Sequence, residues 1–411
     1  MADLQLRTLE PHELTDVLRL DALVWGNEPD EERDRCYLQY LEPDRVVGAF
    51  DGADLIGTGA IVSLRLTVPG GAEIPLAGAT WLLLHPLYRM GGLGRRVDAA
   101  VRSGVRPDEP VFGGMLHDPW IWAGDQFGPA SRYAEVELLL DRRRPPGSGS
   151  DCELEYVPQQ TAIDAVRAVA GRLRGARNGW VQRKPCTEPY KYSRWDRGID
   201  AYGPVNFVVH RDPAGEVDGF LSYRLNADSS TQSRPEGTIA VIELLAASPE
   251  VETVLWQHCT NNRLAYRILA LRRPVDDPLV WRLADPRDLR QTVRDDLTLT
   301  VVDVPAALAA RRYAREDTLV IEVTGAGAGQ RPGAAQRVRL TGGLDGAVCT
   351  PASAGPDLVM TGRALAAAYL GDTSLVTLAA AGQVSEHTPG SLRRASAMFS
   401  WSPAPWLQDI F

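Results

Sequence analysis

With 411 residues, 44% of them hydrophobic and 24% charged, the chain is too long for one ordinary core and too apolar to be disordered, so two or three folded domains are expected. A formal net charge of −9 and a pI near 5.3 exclude nucleic acid as the main partner, because a phosphate backbone needs a basic face. The five cysteines (Cys36, Cys152, Cys186, Cys259 and Cys349) are odd in number and include no CxxC pair, which excludes a disulfide framework and a zinc site; no metal is expected.

The start, "MADLQLRTLEPHE", has no apolar h-region, and no apolar run approaches the ~20 residues that span a bilayer, so a cytoplasmic protein without a membrane partner is expected. A short strand precedes "EPHELTDVLRLDALVW", where Leu14, Val17, Leu18, Leu20, Leu23 and Val24 recur at helical spacing. "DRVVGAFDGADLIGTGAIVSLRLTVPGG" reads as a strand, an Asp-Gly turn, a long strand and a second turn. "AEIPLAGATWLLLHP" gives another strand, a glycine-rich loop follows, and "RRVDAAVRSGV" reads as a helix. "PVFGGMLHDPWIWAGDQFGPASRYAEVELLLDRRR" supplies a strand, an irregular aromatic segment and a closing strand. "RRRPPGSGSD" (142–151) is the clearest linker. After it, strand, helix, strand–turn–strand, strand and helix echo the first segment, without its glycine loop. The last segment, from about Asp295, opens on "LTLTVVDVPAALAARRYA", continues through "TLVIEV" and "QRVRLTGG", and ends in small-residue helices such as "RALAAAYLG"; "GAGAGQRPGAAQ" inside it is a flexible hairpin loop.

The loop "HPLYRMGGLG" (85–94) contains R-x-x-G-x-G between an apolar strand and a helix. Glycines let a backbone approach a pyrophosphate, while an arginine and a helix N-terminus favour the anion. It is neither a Walker A loop nor G-x-G-x-x-G with its acidic residue.

This element and its surroundings resemble the GNAT superfamily and, more narrowly, the Eis family of bacterial aminoglycoside N-acetyltransferases. The resemblance rests on "SLRLTVPGG", "HPLYRMGGLGRR", "FGPASRYAEVELLLDRR", "VPAALAARRYA", "AAAYLGDTSLVTLAAAGQV" and "SWSPAPWLQDIF", which spread over the full chain. It implies an α+β architecture of tandem GNAT-like domains followed by a sterol-carrier-protein-like domain. The expected boundaries are 1–150 for a GNAT domain with the acyl-CoA loop, 151–293 for a second without it, and 294–411 for the last. It also implies acetyl-CoA (or another acyl-CoA) as donor, a small-molecule amine as acceptor and a homo-hexamer. Leu82 and Leu84 match the strand whose backbone pairs with the pantetheine amides; Arg89, Gly91, Gly92 and Gly94 match the pyrophosphate loop. The family's base is the carboxylate of a terminal phenylalanine, matched here by Phe411. Trp401, Trp406 and Phe411 make the chain end aromatic, which argues against fraying.

Two departures bear on the chemistry. The family's general-acid tyrosine falls on Trp122, whose indole N–H donates a hydrogen bond but is no acid near neutral pH. Met90 and Gly91 stand where relatives often carry arginines. Trp25 and Trp81 either line an acceptor cavity or pack in the core, and His117, Asp118 and Asp125 belong to the segment expected to face the acceptor. Such a pocket is more aromatic and less polyanionic than one suited to a polycation. The expected function is N-acyl transfer to an aminoglycoside-like antibiotic or a natural-product intermediate. The alternatives are an acyl-CoA enzyme of specialised metabolism with another acceptor or donor, and a catalytically silent small-molecule-binding protein on the same scaffold.

Overall fold

The computed structural model describes residues 4–26, 28, 30–115, 127–140, 154–184, 188, 191–192, 202–227, 237–325 and 335–411. The chain divides into two compact units, one of residues 1–132, 177–184 and 295–411, the other of residues 133–176 and 185–294.

The first unit holds two sheets. In the larger, β1 (Gln5–Thr8), β2 (Val46–Asp51), β3 (Asp54–Thr67) and β4 (Glu73–Leu84) form an antiparallel meander. It continues through β5 (Val111–Met115), parallel to β4, and ends on β6 (Gly128–Pro129), with β14 (Leu297–Val301) between the last two. Two helices pack on it for legible reasons. In α1 (Leu14–Trp25), Leu14 and Val17 enter a core with Val46, Phe50 and Ala60. In α3 (Leu93–Ser103), Leu93, Val97 and Val101 recur every four residues and enter another with Ala77, Ala79 and Phe112. Between them lies α2 (Glu31–Tyr40), which the sequence reading does not anticipate: half of "EERDRCYLQY" is charged, and among its described side chains only Cys36 and Tyr40 are buried.

The second unit has the strand order β13-β7-β12-β11-β10-β9-β8, where β7 is Arg132–Leu139, β8 Leu154–Tyr156, β9 Val205–Arg211, β10 Val217–Asn226, β11 Gly237–Ala246, β12 Ala265–Pro274 and β13 Leu289–Asp295. Its helices are α4 (Gln159–Leu173), α5 (Pro249–Thr260) and α6 (Leu279–Arg282). Two strands therefore sit in sheets other than those their sequence segments suggest. β7 follows the first segment yet pairs with β12, burying Ala134, Val136 and Leu138 in the second unit's core while Glu135 and Glu137 face away from it. β14 opens the last segment yet is buried at all five positions, because it has a neighbour on either side.

The first unit's other sheet runs β17 (Gly346–Pro351), β16 (Ala335–Gly343), β15 (Asp317–Thr324), β18 (Leu358–Thr361) and β19 (Val384–Glu386), with α7 (Val304–Ala309), α8 (Gly362–Tyr369), α9 (Leu375–Ala380) and α10 (Ser391–Phe399). The small-residue run "GRALAAAY" is α8, and Thr361 caps it by accepting from Ala364 N–H. Among the described residues, no helix is long and apolar enough to cross a membrane.

Three helix ends converge on Arg311, which is 1% exposed. Its guanidinium donates to the carbonyls of Ala368 and Tyr369 at the end of α8, and of Phe399 at the end of α10. Tyr313 and Tyr369 hydroxyls donate to Leu308 and Ala307 in α7. The cation thus satisfies the end carbonyls of Tyr369 and Phe399, adds to the Gly371 N–H that Ala368 already accepts, and sits at the negative ends of two helix dipoles. Its own desolvation is offset by the faces of Tyr313 and Phe399, 4.6 and 5.1 Å away. Arg311→Ala is expected to destabilise the protein by about 3–5 kcal/mol, since it strands the Tyr369 and Phe399 carbonyls and opens a cavity. Urea denaturation of the two proteins measures it, and a change below about 1 kcal/mol contradicts this role.

Candidate active site

The site begins where a ladder stops. β4 pairs with β5 only through Leu76, Ala77 and Gly78, opposite Val111, Phe112 and Gly113. Beyond Gly78, β4 runs on to Leu84 with β3 as its ladder partner, while β5 continues to Met115 against β14. The last residues of β4 therefore present backbone N–H and C=O groups towards a fork. A bulge accentuates it. Thr58 faces Leu83 and Ala60 faces Thr80, so three steps on β4 match two on β3, and Trp81 adopts φ +46°. Leu82 packs with the α3 core, whereas Trp81 packs with the α1 core.

The glycine loop closes one side of the fork. Pro86–Tyr88 form a 3₁₀ turn, Gly91 and Gly92 have φ +91° and +81°, and Gly92 is the N-cap of α3. A Cβ at Gly91 or Gly92 would meet nothing within 4 Å, whereas one at Gly94 would meet the Leu84 side chain at 3.0 Å. The first two glycines thus leave space over a helix start that no side chain caps, and the third lets α3 lie on the end of β4. Arg89, Arg95 and Arg96 are exposed around it. These features suit a pyrophosphate followed by an extended amide chain along β4.

Phe411 enters from the other side. Its ring lies against Gly78, where a Cβ would stand 3.1 Å from ring atom Cε2, at the last rung of the β4–β5 ladder. Sequence reasoning missed what holds it there. Residues 177–184, "RNGWVQRK", leave the second unit's stretch of sequence to lie along β3, with a Leu66–Val181 bridge and Thr67 N–H donating to Trp180 C=O at 2.8 Å. Their other edge carries the tail: Trp406 N–H donates to Asn178 C=O at 3.0 Å, the Gln408 amide donates to Val181 C=O at 2.8 Å, and Arg183 pairs with Asp409. The available signal was "NGW" followed by a cation, opposite an aromatic terminus.

Trp81 meets Tyr37 edge-to-face at 4.8 Å and Tyr40 at 5.9 Å, both from α2. Trp25 lies at the end of α1, 38% exposed. Lys184 Nζ sits 4.6 Å over the Tyr40 ring and 3.3 Å from Glu42. Burial raises the Glu42 pKa, but the Ser63 N–H and hydroxyl, aided by Lys184, prevail and hold it below the ordinary value. On α3, burial raises the Asp98 pKa against the pull of Arg102 at 2.8 Å. Trp122, His117, Asp118 and Asp125 lie outside the described residues.

Family models agree with this layout. Residues 5–99 and 179–302 each match an acetyltransferase (GNAT) domain, and residues 304–408 match a sterol carrier protein domain. The chain is similar to an uncharacterized N-acetyltransferase from Streptomyces avermitilis, at 34% identity over 93% of each chain. It is also similar to N-acetyltransferase Eis from Mycobacterium tuberculosis, 29% identical over 86% of this chain and 85% of that one. Eis1 from Mycobacterium abscessus, a crystal structure, superposes with a TM-score of 0.80 at 26% identity, covering 99% and 100% of the two chains.

Gly92→Trp is expected to cost an α3 start in the left-handed region about 1–2 kcal/mol and to fill the open space above the loop. Calorimetry with CoA should then find at least a tenfold loss of affinity, about 1.4 kcal/mol or more. Undiminished affinity contradicts the placement of the pyrophosphate there.

Proposed function

From the premise that the chain belongs to the Eis-like family of GNAT N-acetyltransferases, we propose that it transfers the acetyl group of acetyl-CoA directly to an amine of a small molecule, with the carboxylate of Phe411 as general base. The observation that carries the reading is the Phe411 ring on Gly78, at the point where β4 and β5 part. The donor, when bound, supplies an acyl group activated as a thioester. The freed backbone of β4, including Leu82 and Leu84, orients its amide chain, and Arg89 with the Gly91–Gly92 N–H groups holds its diphosphate. The acceptor amine loses its proton to the carboxylate and attacks the thioester carbonyl; a C–N bond forms, the C–S bond breaks and CoA leaves as a thiolate that takes a proton from solvent, while the ring keeps the carboxylate in place by packing. Trp122 contributes no proton, because an indole has no acidity in this range.

The half-buried Trp81–Tyr37 pair favours an acceptor with an apolar or aromatic body beside its amine, such as a natural-product intermediate, over a flexible polycation. The family resemblance supports a homo-hexamer, and light scattering that finds a monomer at micromolar concentration rules it out.

Thiol release from acetyl-CoA across a panel of aminoglycosides and aromatic amines tests the acceptor class. With the best acceptor, one glycine added after Phe411 converts the carboxylate to an amide. Turnover should fall by the ~10²–10⁴-fold typical of losing a general base while CoA affinity holds. Trp122→Phe should change the chemical step far less. Unchanged turnover in the extended variant refutes the carboxylate as base, and no turnover with any amine favours the silent binding protein.

A further inference from the structure

We propose that Arg183 and Gln408 are positioning residues that lock the register of the tail against residues 177–184, and so fix where the Phe411 carboxylate stands; the inference rests on the reading of that carboxylate as base. The tail is anchored twice. Trp406 and Leu407 are buried, and Trp406 meets Trp180 edge-to-face at 5.9 Å besides its backbone bond to Asn178. This first anchor fixes that the tail docks. The second fixes how it continues. The Gln408 side chain, 3% exposed, makes reciprocal bonds to Val181, donating to its C=O at 2.8 Å and accepting from its N–H at 3.4 Å. A side-chain amide here takes the place of a strand's backbone. One residue further, Arg183 and Asp409 pair with side chains 7% and 16% exposed.

Both contacts are register-specific. A slip by one residue, about 3.3 Å, leaves two desolvated charges unmatched and the Val181 peptide unpaired. Ile410 and Phe411 come next, so any such slip passes directly to Phe411 and the carboxylate proposed there. Catalytic geometry is intolerant of this, since misplacement by about 1 Å is worth ~10²-fold in rate. Asp409, engaged by Arg183, acts as the tether for Phe411 rather than as a second base.

The test uses the full chain with Arg183→Ala, Gln408→Leu and the charge exchange Arg183→Asp/Asp409→Arg. Three quantities are read: kcat with the best acceptor of the amine panel, CoA affinity by calorimetry, and release of Phe411 by carboxypeptidase A. Each single variant should lose ~10²-fold in kcat, hold CoA within about twofold, and release Phe411 faster. The exchange should recover at least about a tenth of wild-type kcat, as only a matched pair restores the register. Where the glycine extension abolishes turnover, wild-type kcat in both single variants overturns the proposal, as does a kcat loss matched by loss of CoA affinity. The glycine-extended variant separates the two readings. If extension leaves kcat intact, the base reading falls, and accelerated release from Arg183→Ala still upholds the register lock; unaccelerated release from both single variants overturns the lock whatever the base.

Discussion

The fold turns on a ladder that stops early. A parallel pair of strands normally continues until one strand ends, because each unpaired backbone group left in a dry setting costs free energy. Here the pairing of β4 with β5 ends at Gly78, although β4 goes on for six residues and β5 for two. What lets both strands continue is a different neighbour for each: β3 supports β4 through its bulge, and β14 supports β5. The insertion of β14 from a distant part of the sequence is thus a condition for the fork, since β5 would otherwise be an edge. In the proposed reaction, the amides that β4 turns into the opening serve a donor with its own amides.

Phe411 reaches the same opening from far along the chain, and a sequence of supports holds it there. Arg311 gathers the ends of α8 and α10, and the tail departs from α10 at Ser400. Trp401 N–H then bonds to Gly371 C=O, just past α8, and Asn178 holds the Leu370 carbonyl with its side chain while accepting from Trp406 with its backbone. Every support is either a helix end or the 177–184 stretch, so the last residue inherits its position from elements that cannot shift singly.

Much of this was legible in the sequence because it is local. Leu14 and Val17 at helical spacing, the Asp-Gly turn at 51–52 and the glycines after an apolar strand each encode their own conformation, and α1, the β2–β3 hairpin and the α3 loop follow. The parts that escaped are those decided by a remote partner. α2 has few apolar residues and owes its place to Cys36 and Tyr40 against other elements. β7 reads correctly as a strand, but nothing in "RYAEVELL" names the sheet it joins, and "LTLTV" at the start of the last segment gives no sign that it forms β14 of the first unit's larger sheet. At the candidate site, Gly91, Gly92, Gly94 and Phe411 stood out in the sequence because glycine and a terminal aromatic are conspicuous, whereas the clamp of Asn178, Val181 and Arg183 is ordinary in composition and special only in its contacts.

The second unit shows why the repeat of strand and helix order does not repeat the chemistry. β11 and α5 stand where β4 and α3 stand in the first unit, and β11 too runs parallel to its following strand. Yet the start of α5 is closed to an anion in two ways. Ser248 caps it, its hydroxyl accepting from Val251 N–H, so the donor left open at Gly92 is spent here on a side chain. Glu250 and Glu252 then place carboxylates in the first turn, and Glu252 is itself engaged by Arg273 at 2.6 Å and Arg282 at 2.9 Å. Those acidic groups stabilise the helix by the same dipole that would otherwise draw a phosphate. A helix start can satisfy its N–H groups from within or leave them open; α5 does the first, at the position where α3, with no side-chain cap at Gly92, does the second.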